Sequence, residues 1–253
     1  YFRNSLVNSN NMIDHLTHSM IRDYLRCPRL YYYRYYLGIR LPSKHLNLVF
    51  GSAIHEGIED YYNRKDPIYA FTSDFQIDKI DNITKDEYLN ASKEGKRLLD
   101  FFTAMIPITR GSSEVKFRTE LIDPITHKML EVPVTGRYDR LEDNMIIEFK
   151  TSSKPYKQKD IDEATQASLY MFARYMATGK IPERFRYIIL IKGRKKEPIQ
   201  VLETQRTKED LSFMFRTIET VLEGIKGEQF SKGTGFMHNK FCDCQKYEQE
   251  LLL

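Results

Sequence analysis

A chain of 253 residues, 41% hydrophobic and 29% charged, has the mix of a soluble globular protein, long enough for one large domain or a domain with an attachment. No apolar run approaches the roughly 20 residues that span a bilayer, and the polar stretch Tyr1 to Asn11 lacks the apolar centre of a signal peptide. Three cysteines are too few for a disulfide framework and point to a reducing, cytoplasmic setting, while a formal charge of +4 is compatible with a nucleic-acid partner without indicating one.

The chain starts without Met, so residues 1–11 read as a tag remnant or a disordered lead, with Met12 as a natural start. Residues 12–253 read as one domain: a mainly helical part over 12–110, a core over 111–205, and a C-terminal helix and tail over 206–253. Ser19 is the candidate N-cap of a helix running to about Leu37 and stopped by Gly38 and Pro42, with Pro28 kinking or dividing it. The run Tyr31-Tyr32-Tyr33-Arg34-Tyr35-Tyr36 puts aromatics on every side of that helix, chiefly for packing, with base stacking as the other use for one or two of them. Basic residues interleave with these aromatics over Arg26 to Arg40 and cluster again over Lys192 to Lys196.

Gly51 to Asn63 reads as a second helix, with Ile54, Ile58 and Tyr61 at helical spacing. Thr84 and Glu87 form a capping box before a third, which reaches at least Phe102. The pattern then changes. Val115 to Leu121, Met129 to Arg140 and Met145 to Thr151 read as strands, followed by a helix from about Asp160 to Ala177. Two more strands follow, Phe185 to Ile191 and Ile199 to Leu202. Thr207 and Asp210 cap a last helix that ends near Gly224 to Gly227. The fold class is therefore α/β: a central mixed sheet flanked by helices, with an added N-terminal helical layer.

Asp143-Asn144 is a two-residue hairpin turn. It places Glu142 opposite Met145 and Asp139 opposite Glu148, with Cβ atoms about 4.5–5.5 Å apart. Alternation adds Lys150 to that face and leaves Val132, Val134, Tyr138, Met145, Ile147 and Phe149 as a core face. Two opposed carboxylates repel, and a divalent cation with a taste for hard oxygen, magnesium or manganese, is the natural compensator. The lysine can then act on a water beside a phosphate. On spacing alone a solvated polar hairpin face explains the same residues, because Glu-x-Lys is common. Context adds Gln166 and Tyr170 on one face of the following helix, beside an apolar stripe of Ile161, Thr165, Leu169, Phe172 and Met176. It also adds His55 and Glu59, one turn apart near the start of an earlier helix, although a lone helical histidine is usually structural.

In order, Gly51-Ser52-Ala53-Ile54-His55, Gly136-Arg137-Tyr138-Asp139, Glu148-Phe149-Lys150-Thr151, and Gln166 with Tyr170 resemble the PD-(D/E)XK nuclease superfamily, and more narrowly its RecB-like exonuclease branch with CRISPR-associated and phage-encoded relatives. Tyr24-Leu25-Arg26-Cys27-Pro28 resembles the opening of that branch. The resemblance spans about Ser19 to Tyr170; each motif is weak alone and the ordered set is specific. It implies a restriction-endonuclease-like core and a nuclease, an exonuclease acting on DNA ends or single strands. Asp139, Glu148 and Lys150 would be catalytic, with His55, Asp139, Glu148 and the Phe149 carbonyl on magnesium or manganese. Gln166, Tyr170 and Glu120 would support the centre or the DNA. The competing readings are a non-catalytic DNA-binding subunit on the same fold and an adaptor using the aromatic helix. A recombination or helicase partner, a homo-oligomer, and the host cytoplasm for a phage-encoded chain fit the resemblance.

Some relatives hold an iron–sulfur cluster with one early and three late cysteines. Cys27 fits the early position, but only Cys242 and Cys244 follow. Four thiolates are the usual requirement, so no iron–sulfur cluster is expected.

Overall fold

The structure is a computed structural model, and it describes residues 13–41, 45–233 and 242–251; the lead over 1–11, Pro42 and much of the tail after Ser231 lie outside the described residues. Its centre is a six-stranded mixed sheet made of β1 (Leu16–Thr17), β2 (Ser112–Thr119), β3 (Val134–Glu142), β4 (Met145–Ser152), β5 (Arg184–Ile191) and β6 (Ile199–Thr204). β2 runs antiparallel along β3, β4 leaves β3 through the Asp143-Asn144 turn, β5 lies parallel to β4, and β6 returns antiparallel. A parallel neighbour needs a crossover, and α6 (Gln158–Asp162) with α7 (Thr165–Thr178) supplies it.

Both faces of this sheet are covered, which is why β4 and β5 read as nearly continuous apolar runs. Along β5, Phe185, Tyr187, Ile189 and Ile191 pack on one side with α1 (His18–Arg26), α7 and α8 (Lys208–Lys226). Ile188 and Leu190 pack on the other side, against α3 (Leu46–Tyr62), α4 (Pro67–Asp74) and α5 (Lys85–Met105). The N-terminal helical layer is thus the second cover. Both predicted capping boxes, Thr84 with Glu87 and Thr207 with Asp210, are formed. Among the described residues no helix is long and apolar enough to cross a membrane.

Several boundaries differ from the sequence reading, each for a local reason. The first helix is capped by Thr17, whose side chain accepts from Met20 N, and not by Ser19. Cys27 is extended, as a residue before proline prefers. It separates α1 from α2 (Pro28–Tyr31), and a π-type turn over Tyr32–Tyr36 follows, closed by Leu37 N to Tyr32 O at 2.8 Å. The strand predicted from Met129 begins only at Val134: Asp123 caps a tight turn through Ile125 N and Thr126 N, His127 takes a positive φ, and Pro133 has no N–H for a ladder. The helix predicted over Asp160 to Ala177 is divided at Glu163 and Ala164, which separates Ile161 from the stripe on α7. Buried Arg206 holds that break, sending Nη2 to the carbonyls of Ile161 and Ala164 and its other donors to Ser168, Thr204 and Gln205.

The tyrosine run is internal packing. Tyr31, Tyr32 and Tyr36 surround Phe230, and Tyr33 stacks on Tyr247 of α9 (Cys244–Leu251). The aromatic helix therefore binds the C-terminal segments to the front of the chain.

Candidate active site

The hairpin closes in the expected register, Glu142 opposite Met145 and Arg140 opposite Ile147, and there the β3–β4 ladder ends. Short β1 takes the same edge of β3 at Val134 and Thr135. In the gap between them the Phe149 amide has no strand carbonyl to meet. Asp139 Oδ2 accepts from it instead, at 2.9 Å. A side-chain carboxylate thus completes the sheet, and that bond fixes Asp139 where the two strands part.

The alternation of β3 breaks at the same place. Val134 and Tyr138 pack with α7, whereas Arg140 lies over the Tyr62 ring at 3.8 Å, on the side of Ile147 and Phe149. The single core face expected for Val132, Val134, Tyr138, Met145, Ile147 and Phe149 is therefore split between the two cores. The cause lies on β2. Glu114, between the Ser113–Arg140 and Val115–Tyr138 pairs, takes a φ of 56°, outside the strand region.

Glu148 is 3% exposed. Its Oε1 accepts from Lys150 Nζ at 2.6 Å and from Gln166 Nε2 at 2.7 Å. Its Oε2 is buried and has no hydrogen-bond partner among the described residues. Burial lowers the Lys150 pKa, but the charge and hydrogen bond of Glu148, helped by Asp139, outweigh it and hold the pKa above the ordinary value; it is an ammonium. Burial, then the Glu148 charge, pushes Asp139 well above the carboxylate range, against the Phe149 amide and Lys150. His55 is pulled down by burial, against the Glu148 charge and a hydrogen bond with the Phe149 backbone, so its imidazole is neutral and able to ligate.

His55, Glu114 and Asp139 present ligand atoms within 4.8 Å of one another, with His55 Nδ1 3.7 Å from Asp139 Oδ2. One imidazole and two carboxylates suit a divalent cation of the magnesium–manganese class. Glu148 stands beside this trio, and its orphaned Oε2 is a further acceptor with nothing to accept from. A buried carboxylate oxygen without a donor is costly unless a cation meets it. The residues fit a metal.

Of the residues singled out in the sequence, the structure brings together His55, Asp139, Glu148, Lys150 and Gln166. Tyr170 stands behind them, packed against Tyr138 and Phe117. Glu120 does not join them. It is exposed just past the end of β2, about 20 Å along the strand from Glu114 at 3.3 Å per residue, and it is Glu114 that lies beside His55 and Asp139. The β2–β3 register was the missing signal: Phe117 pairs with Gly136, where a Cβ would overlap the Phe117 ring, and that pairing puts Glu114 beside Asp139. Tyr187 was also missed. It pairs with Glu148 across β4–β5, is 2% exposed, and its Oη has no hydrogen-bond partner among the described residues.

Two clefts adjoin the centre. One, about 430 Å³, is lined by His55, Glu56, Glu59, Glu114 and Arg137. The other, about 340 Å³, is lined by His18, Arg22, Lys150, Tyr156, Gln166 and Tyr187 among others. Away from both, Cys27, Cys242 and Cys244 converge as three buried thiols whose sulfurs lie within 4.8 Å of one another. The two late cysteines thus reach the early one. Burial pushes the Cys242 and Cys244 thiols up.

Among solved structures, a crystal structure of SSO0001 matches at 14% identity over 72% of this chain and 78% of that one, with a TM-score of 0.34. No curated protein matches the sequence. The family model of the PD-(D/E)XK nuclease superfamily matches residues 15–246. That span takes in the parted strands with Asp139, Glu148 and Lys150 as well as the helices on both faces of the sheet, and the chain belongs to this superfamily.

Proposed function

We propose that the protein is a magnesium- or manganese-dependent deoxyribonuclease of the RecB-like branch, an exonuclease that works on DNA ends or single strands. The observation that carries this reading is the division of the Glu148 carboxylate: one oxygen bound by Lys150 and Gln166, the other buried and unpartnered beside Asp139 and the His55–Glu114 pair. Asp139, His55 and Glu114 would hold a divalent cation, with Glu148 Oε2 turned to it. When bound, the cation supplies Lewis acidity toward a phosphodiester and its attacking water.

The chain's own residues do the rest. The Lys150 ammonium, kept charged by Glu148, faces the developing charge on the phosphate oxygens. Gln166 locks Glu148 so that one oxygen stays free. The Phe149 amide holds Asp139 at the mouth of the parted strands.

The test is cleavage of linear and single-stranded DNA with magnesium, manganese, calcium and EDTA. Magnesium and manganese should support cutting. Calcium should fail, because its longer and looser coordination misplaces the water. Full cleavage in EDTA would overturn the metal mechanism. Binding of DNA in EDTA with no cleavage under any cation would leave the non-catalytic DNA-binding subunit in its place.

A further inference from the structure

The cleft beside Lys150 contains a group the nuclease chemistry does not use. The Tyr187 hydroxyl is buried on the strand next to Glu148, and no described residue hydrogen-bonds it. Native proteins keep few such atoms. Burial, then the Glu148 charge, pushes the Tyr187 phenol up, so the hydroxyl keeps its proton and is a donor with nothing to donate to. Tyr187 is one of the residues lining the 340 Å³ cleft.

The other polar groups there are mostly committed. Lys150 and Gln166 bind Glu148. His18, neutral with its pKa pulled down to about 4 by burial, meets Thr165 Oγ1 at 3.1 Å. The one acid, Asp160, accepts from Lys157 N at the start of α6. What remains is the Tyr187 hydroxyl, the ring of Tyr156, a residue that also lines the cleft, and Arg22, whose Nε and Nη2 hold Asp23 while 53% of its side chain is exposed. A buried donor, an aromatic wall and a half-exposed guanidinium, next to a charged lysine, match one nucleotide: oxygens to accept, a base to lie on a ring, a phosphate for the cation. The volume is at the small end for ligand sites, about 300–1,000 Å³, which admits a single unpaired base with its sugar and not a base pair.

We propose that this cleft is a nucleotide subsite that receives one unpaired nucleotide of the DNA strand next to the bond that is cut, with Tyr187 Oη donating to it, Tyr156 against its base and Arg22 at its phosphate. The proposal rests on the reading of the neighbouring centre as a deoxyribonuclease, and it explains why that centre would act on ends or single strands: a paired base cannot enter.

The experiment measures binding of a deoxynucleoside 5′-monophosphate, dAMP, to the full chain in EDTA by calorimetry, for the parent, Tyr187→Phe and Arg22→Gln. Melting curves without ligand accompany it, and kcat and KM are read on single-stranded DNA. The parent should bind dAMP. Tyr187→Phe should weaken that binding about three- to tenfold, the value of one hydrogen bond. It should raise KM by a similar factor with kcat nearly unchanged, and melt at the same temperature or higher, since it removes an unsatisfied atom. Arg22→Gln should weaken dAMP binding and lower the melting temperature only modestly, because Asp23 loses Arg22 but keeps Arg34 and Tyr35. Absence of dAMP binding to the parent would overturn the subsite, as would equal affinity in both variants or a Tyr187→Phe chain that melts lower. A parent that binds dAMP but cuts no DNA would overturn the nuclease reading instead, so the two fail separately.

Discussion

The two clefts that flank the active centre differ in charge. The His55 side carries Glu56, Glu59 and Glu114 with Arg137 as its cation; the Lys150 side carries Arg22 and Lys150 with Asp160 as its acid. A polyanionic substrate and a cation want opposite fields. Under the proposed reading, the contrast would put the metal on the α3 side and the strand on the α1–α7 side, with Glu148, one oxygen bonded and the other without a partner among the described residues, at the boundary.

The largest effect that could break this division comes from the boundary itself. Lys150→Ala and Glu148→Ala should each cut the cleavage rate by about 10²–10³-fold or more. They should separate in a manganese titration: Glu148→Ala lowers affinity, whereas Lys150→Ala spares or slightly raises it, because a like charge beside the cation is gone. If Lys150→Ala cuts DNA at the parental rate, the hairpin is only a polar surface.

Next come the residues on the metal side. His55→Ala and Glu114→Gln should weaken manganese binding by about 10–100-fold, while Glu120→Gln should change nothing. Equal manganese affinity in Glu114→Gln would take Glu114 out of the metal site.

The comparison also has a pH signature. Asp139 and Glu114 are both raised by burial, with the Glu148 charge adding to Asp139, so protons compete with the cation for both. Manganese affinity should fall as pH drops from about 8 toward 5, with protons taken up on metal release. The cation-free protein binds those protons more tightly than its unfolded chain does. Its stability should therefore decline as pH rises from the ordinary carboxylate range through the raised values, and saturating manganese should remove the decline. Melting curves across that range, with and without manganese, read both; a cation-free protein that gains stability as pH rises there would contradict the carboxylate pair.

How far the site was legible follows from which contacts are local. The Asp143-Asn144 turn fixes the register only as far as Arg140 and Ile147, so the expected Asp139–Glu148 pair is not formed, but it leaves both residues where the strands part, and alternation along β4 relates Glu148 to Lys150. The capping boxes at Thr84 and Thr207 are four-residue patterns and were equally readable. What was missed depends on pairing between distant segments. Glu114 reaches Asp139 only through the β2–β3 ladder. Tyr187 reaches Glu148 only through the parallel β4–β5 ladder. The core of β3 was misassigned because alternation assumes an unbroken strand, and the kink near Glu114 and Asp139 switches its side chains between faces just where the site is built. The convergence of Cys27 with Cys242 and Cys244 likewise depends on α9 packing against the tyrosine run, which no spacing announces.

The smallest effect gives the finest test of the division. Glu56 is exposed on α3 at the edge of the acidic cleft, and burial, then the nearby Glu59 charge, raises its carboxyl. If the acidic cleft serves the cation and not the strand, Glu56→Gln acts only through a screened field. It should lower magnesium affinity by about twofold, the scale of an exposed charge interaction, with the effect fading in high salt. DNA affinity measured in EDTA should stay at the parental value, because the strand does not pass Glu56. A strand running through the acidic cleft would instead feel the lost repulsion directly, and Glu56→Gln would bind DNA several-fold more tightly at low salt. That result would assign both clefts to the substrate and leave the charge difference between them without the role given to it here.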